Sequence, residues 1–62
     1  MFKLFFGENG NRDCTFLEKF NTMAEAQEFR DELISWDEDE SGDYYLITDQ
    51  NGDVAERICV IK

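Results

Sequence analysis

Glu25, Glu28, Asp31 and Glu32 recur at spacings of three and four residues, and Asp37, Glu38, Asp39, Glu40 and Asp43 follow within a short stretch. Between residues 25 and 43 there are nine acids against a single base, Arg30, so eight of the chain's nine net negative charges lie there. Carboxylates in such a row can stand in for phosphates before a basic protein, ligate a divalent cation, or exchange protons.

The first chemistry is favoured by spacing. On a helix the outward carboxylates Glu25, Glu28 and Asp31 or Glu32 advance by ~4.5–6 Å, at ~1.5 Å per residue. A nucleic-acid strand presents one phosphate per ~3.4 Å of axis. The helix acids have few bases at i,i+4 to neutralise them, and Asp37 to Glu40 extend the row into a loop, with Asp43 continuing it. A solvated acidic face is the plain alternative. Direct nucleic-acid binding is excluded on charge: six bases are scattered through a chain of net charge −9, whereas phosphate contacts need clustered Lys and Arg.

Cation chemistry has a partial motif. Asp37-Glu38-Asp39-Glu40-Ser41-Gly42 matches the opening D-x-D-x-S-G of an EF-hand loop, with oxygen ligands at the first, third and fifth positions. The twelfth position is Thr48 rather than Glu, and Tyr44-Tyr45-Leu46-Ile47 reads as strand rather than exiting helix. No metal or other cofactor is expected; calcium at Asp37, Asp39 and Ser41 is the lesser alternative. Two cysteines and no histidine leave a four-ligand zinc site unavailable within one chain. Cys14 and Cys59 are expected to be buried thiols, not a disulfide.

Proton exchange has little to build on. Without histidine neither a Cys-His nor a Ser-His-Asp set can be assembled. Glu18 and Glu56 are the carboxylates whose burial could split a pair of pKa values, but they are expected at sheet margins, Glu18 near Lys3 or Lys19 and Glu56 near Arg57 or Lys62. No catalytic residue is assigned.

The elements that must position the row follow from periodicity. Phe2 to Phe6 and Cys14 to Phe20 flank turn-forming residues 7–13 and predict a β-hairpin. An odd loop would place Phe2, Leu4 and Phe6 on one face with Cys14, Phe16 and Phe20, leaving Lys3, Phe5, Thr15, Leu17 and Lys19 on the other. Thr22-Met23-Ala24-Glu25 is a capping box. It opens a helix to about Trp36, with an apolar stripe of Met23, Ala26, Phe29, Leu33 and Trp36, Ile34 at its border; Trp36 is expected to close the core. Tyr44 to Thr48 and Val54 to Ile61 form a second hairpin, its turn centred on Asn51-Gly52. This puts Tyr45, Ile47, Ile58 and Val60 on one face and Tyr44, Leu46, Cys59 and Ile61 on the other.

The fold class is therefore α+β: one domain, residues 1–62, of order ββαββ, with an antiparallel sheet of two hairpins and one helix on one face. A single helix leaves apolar residues, Phe5 and Leu17 among them, on the far face, so self-association as a dimer is a second expectation. The longest apolar runs are far below the ~18 residues of a membrane span, and no secretion signal is read at the N-terminus. The expected location is the cytoplasm, without membrane contact.

With residues 25–43 and the ββαββ order in hand, the chain resembles small acidic phage-encoded proteins that inhibit host nucleic-acid-binding proteins by imitating DNA. That class includes inhibitors of uracil-DNA glycosylase, restriction enzymes, CRISPR nucleases and nucleoid proteins of the HU type. The hairpin Leu46-Ile47-Thr48-Asp49-Gln50-Asn51-Gly52-Asp53 is similar to the last hairpin of the uracil-DNA glycosylase inhibitors. The resemblance implies a non-enzymatic DNA mimic serving host takeover. Its partner would be a basic DNA-binding protein of the host, met by Glu25, Glu28, Asp31, Glu32, Asp37, Glu38, Asp39, Glu40 and Asp43. It selects no target. The alternative function is a protein-interaction or assembly module working through the uncovered sheet face.

Overall fold

A computed structural model describes residues 1–10, 12–36 and 42–60. The order is β1 (Phe2–Gly7), β2 (Cys14–Phe20), α1 (Met23–Ser35), β3 (Tyr44–Thr48) and β4 (Val54–Cys59). The strands form one antiparallel sheet in the order β2-β1-β3-β4, so the two hairpins join along β1 and β3. This is the α+β, ββαββ architecture expected. Helix α1 packs across β1, β2 and β3 on one face. Leu4, Ala26, Tyr45, Ile47 and Val60 are buried between the layers, with Phe2, Phe6, Phe20, Met23, Leu33, Ile34 and Ile58 packed around them.

The first hairpin corrects the expected faces. Gly7 pairs directly with Cys14, so the connection is residues 8–13, an even number. Pairing then slips between Leu4 and Phe5, where Leu17 is the extra residue of β2. A bulge of one residue reverses the facing of everything beyond it. Phe20 thereby joins Phe2 over the core, while Phe16 pairs with Phe5 on the open face, their rings edge-on at 5.7 Å. Phe16 and Cys14 therefore do not share the core face with Leu4.

The second hairpin has the expected register: Tyr45 opposite Ile58 and Ile47 opposite Glu56 on the helix side, Tyr44 opposite Cys59 and Leu46 opposite Arg57 on the other. The turn is one residue longer than the expected Asn51-Gly52 loop, since Asp49 and Asp53 pair around residues 50–52, and a slip between Ile47 and Thr48, where Ala55 is the extra residue of β4, restores the register. The Asp49 carbonyl accepts from the Gly52 N–H at 3.0 Å, so Gln50 and Asn51 occupy its centre, and Gly52 follows at φ 86, a conformation glycine adopts without strain. The Asp49 carboxylate accepts from the N–H groups of Asn51 and Asp53. Strand β4 ends at Cys59, and Ile61 lies outside the described residues.

The Thr22 hydroxyl caps α1 by accepting from the Glu25 N–H at 3.2 Å, and it donates to the Glu25 carboxylate. The buried stripe is rotated from expectation. Ala26 and Arg30 are buried, Leu33 and Ile34 half-buried, while Phe29 is 36% and Trp36 63% exposed. At about 100° per residue, a stripe centred between Ala26 and Arg30 leaves Phe29 and Trp36 on one flank and Gln27 and Asp31 on the other. The small Ala26 side chain lets the helix approach the sheet. Arg30 fills the space that a large apolar residue would take, and Trp36 does not close the core.

Cys14 and Cys59 are free and exposed rather than buried. They lie on the outer strands β2 and β4, three strand spacings or ~14 Å apart, beyond disulfide reach. In the same row, Gly7 lies directly beneath the Tyr44 ring, where an added Cβ would collide with the ring carbons. Arg57 stacks over the same ring at 4.8 Å. Gly7→Ala should therefore displace Tyr44, lose that stacking and lower stability by ~1–3 kcal/mol. Thermal unfolding monitored by circular dichroism measures the loss; an unchanged midpoint would contradict this packing.

Candidate acidic interface

The rotation of α1 sorts its acids into two groups. Glu25, Glu28 and Glu32 fall on the flank that carries Phe29 and Trp36, all of them exposed. This flank overhangs β2: the Phe29 ring leans on Phe20 at 5.4 Å, and the two rings with Glu25, Glu28 and Glu32 line a shallow groove of about 240 Å³. Among the described residues, no ion pair involves Glu25, Glu28 or Glu32. The result is a ridge of three unneutralised carboxylates around two aromatic rings, with Trp36 at its C-terminal end.

Asp31 belongs to the other flank. It is exposed, but one of its oxygens accepts from Arg30 Nε at 3.2 Å and Nη2 at 3.1 Å. Arg30 turns its remaining nitrogen toward β4 and forms an ion pair with Glu56, whose other oxygen accepts from Gln27 Nε2 at 2.8 Å. Glu56 is thus held by the helix, whereas Arg57 stacks on Tyr44 and Lys62 lies outside the described residues, and this network ties α1 to the strand that its backbone does not approach. Its role is architectural, and Asp31 contributes less free charge than the three ridge glutamates.

Asp43 is corrected more strongly. It is 7% exposed. Its carboxylate accepts from the Asn9 N–H at 3.0 Å, and its carbonyl accepts from the Val60 N–H at 2.7 Å. Asp43 clamps the first hairpin loop to the ends of β3 and β4, and a buried, hydrogen-bonded carboxylate cannot also face a partner. Asp37, Glu38, Asp39 and Glu40 lie outside the described residues, as does Ser41; with them lies the calcium alternative at Asp37, Asp39 and Ser41. Asp43 and Asp49, the described acids next along the chain, hold backbone N–H groups. The Glu18 and Glu56 carboxylates are not brought together: they lie on the outer strands β2 and β4, and Glu18, opposite Leu4 in register, is exposed at the sheet edge, where it lines a depression with Lys3 and Lys19.

Two features escaped the sequence. One is the aromatic content of the ridge, since Phe29 and Trp36 obey the helical spacing of core residues equally well. The other is the addition of Arg57 to the two lysines expected on one face: Lys3 pairs with Lys19 across the open face, and Arg57 lies on that face beside Tyr44. Only strand register brings those three positions together. No helix among the described residues is long and apolar enough to cross a membrane. Comparison with known protein families, curated proteins and solved structures found no match.

Proposed function

We propose that this chain is a non-enzymatic inhibitor that occupies the nucleic-acid-binding surface of a basic host protein in the cytoplasm. The observation that carries this reading is the α1 ridge, where Glu25, Glu28 and Glu32 stand exposed and without cationic partners among the described residues. A free carboxylate keeps its full attraction for a phosphate-binding Arg or Lys, and Arg takes carboxylate and phosphate oxygens in the same forked geometry. Phe29 and Trp36 add apolar surface beside the charges, where guanidinium groups also stack. Asp31 enlarges the negative field beside the ridge, and the acids Asp37 to Glu40, which follow Trp36 in sequence and lie outside the described residues, add four further charges to the chain; Asp43 has no part in the ridge. The resemblance to phage-encoded DNA mimics supplies the class of target, a DNA-binding protein of the host, without selecting one.

The test is capture from bacterial lysate on the tagged protein, eluted once with a salt gradient and once with duplex DNA. DNA-binding proteins released by both are the expected result. Trp36, the sole tryptophan, should change its emission when the purified target covers the ridge, and added duplex DNA should reverse the change. Partners that withstand both eluents, or no partner at all, would overturn the reading.

A further inference from the structure

The sheet has two apolar faces, and the described residues supply a helix for only one. The open face carries Phe5, Phe16 and Leu46 in one row, with Lys3 and Lys19 to one side and Arg57 at the end. Lys3, Phe5, Phe16, Glu18 and Lys19 line a depression of about 470 Å³, and Phe16 is 49% exposed. Of the bases among the described residues, Arg30 is buried and Arg12 lies in the first hairpin loop; the other three are on this face. A face of this kind needs an occupant that is apolar at its centre and acidic at its margins.

We infer that the occupant is the α1 ridge of a second copy of this chain. The ridge presents Phe29 and Trp36 among Glu25, Glu28 and Glu32, the complement of Phe5, Phe16 and Leu46 among Lys3, Lys19 and Arg57. The dimensions agree: Glu25 to Glu32 spans ~10 Å along the helix, and Lys19 to Arg57 spans ~14 Å across the sheet. Charge also selects the mode of pairing. Two sheet faces would oppose three cations to three, and two ridges would oppose three carboxylates to three, whereas sheet against ridge opposes unlike charges. The contact is therefore heterologous, the ridge of one copy on the sheet of the next, and it propagates or closes into a ring. At physiological ionic strength, screening over ~8 Å weakens the repulsion between whole acidic molecules more than the pairs in contact. The inference shares its ridge with the proposed function, so assembly and target compete for it, but it does not depend on any target.

Sedimentation across a concentration series, in the tens of micromolar to millimolar range, tests it with two folded double variants. Wild type should increase in mass with concentration. Glu28→Lys/Glu32→Lys lowers the net repulsion yet should remain monomeric, and Lys3→Gln/Lys19→Gln should remain monomeric while binding the lysate target as wild type does. Mixed in equal amounts, the first variant offers only a sheet and the second only a ridge, so the mixture should form a heterodimer and nothing larger. Association of Glu28→Lys/Glu32→Lys by itself would establish sheet-to-sheet pairing and overturn the inference. A wild type that stays monomeric but still competes with DNA would overturn it while leaving the proposed function intact.

Discussion

Replacing Arg30 with alanine should destabilise the fold by about 2–3 kcal/mol. Removing one member of a buried ion pair costs ~3–5 kcal/mol, because the other charge is left unpaired. The lower figure applies here because Glu56, with 32% of its side chain accessible, can recover some hydration. Against a total of ~0.05–0.15 kcal/mol per residue, such a loss is a large fraction of the stability of a 62-residue chain. The mechanism makes a second claim. Arg30→Met keeps the stem packed beside Ala26 but orphans Glu56, so it should remain destabilised. Adding Glu56→Gln should then recover part of the loss, since the amide is neutral and still accepts from Gln27. Urea unfolding of the four proteins measures both effects. An Arg30→Ala variant within ~0.5 kcal/mol of wild type, the range of an ordinary surface substitution, would show that the guanidinium is hydrated and not part of the core.

The position of Arg30 also shows where reading the sequence stops. The apolar residues of α1 fit a stripe through Phe29 and Trp36 as well as one through Ala26, Leu33 and Ile34, because both obey three-and-four spacing. What decides between them lies outside the helix: Glu56, 26 positions further along the chain, offers a carboxylate over β4, and Phe20 at the end of β2 offers a ring to Phe29. Strand alternation was legible in the second hairpin, as in Tyr45, Ile47 and Ile58, because the slip at Ala55 offsets the longer turn. It failed in β2, where Leu17 bulges and reverses Phe16. Asp43 reads as one more acid of a charged loop until the Asn9 N–H is seen against it. The site was legible as a row of acids, and the helix divided it: Glu25, Glu28 and Glu32 toward solvent, Asp31 toward Arg30.

Reversing Glu28 and Glu32 to lysine should reduce affinity for a DNA-binding target by about 100-fold or more while leaving the fold intact. Each reversal converts an attraction at the ridge into a like-charge contact, which costs several kcal/mol at an interface, and ~2.7 kcal/mol already corresponds to two decades. Both residues are exposed and without ion-pair partners in α1, so neither fold nor cap depends on them. Bulk charge needs its own control, since the substitutions also add four positive units to a chain of net charge −9. Glu8→Lys/Asp53→Lys adds the same four units at exposed positions in the two hairpin loops, away from α1. If the ridge is the binding surface, the control should slow association through weaker steering yet keep affinity within a few-fold, because distant charges act mainly on encounter rates. Titration of both variants against the captured target, at two salt concentrations, separates the cases. Equal losses in the two would show that the target responds to net charge, and the ridge geometry would then have no part in recognition.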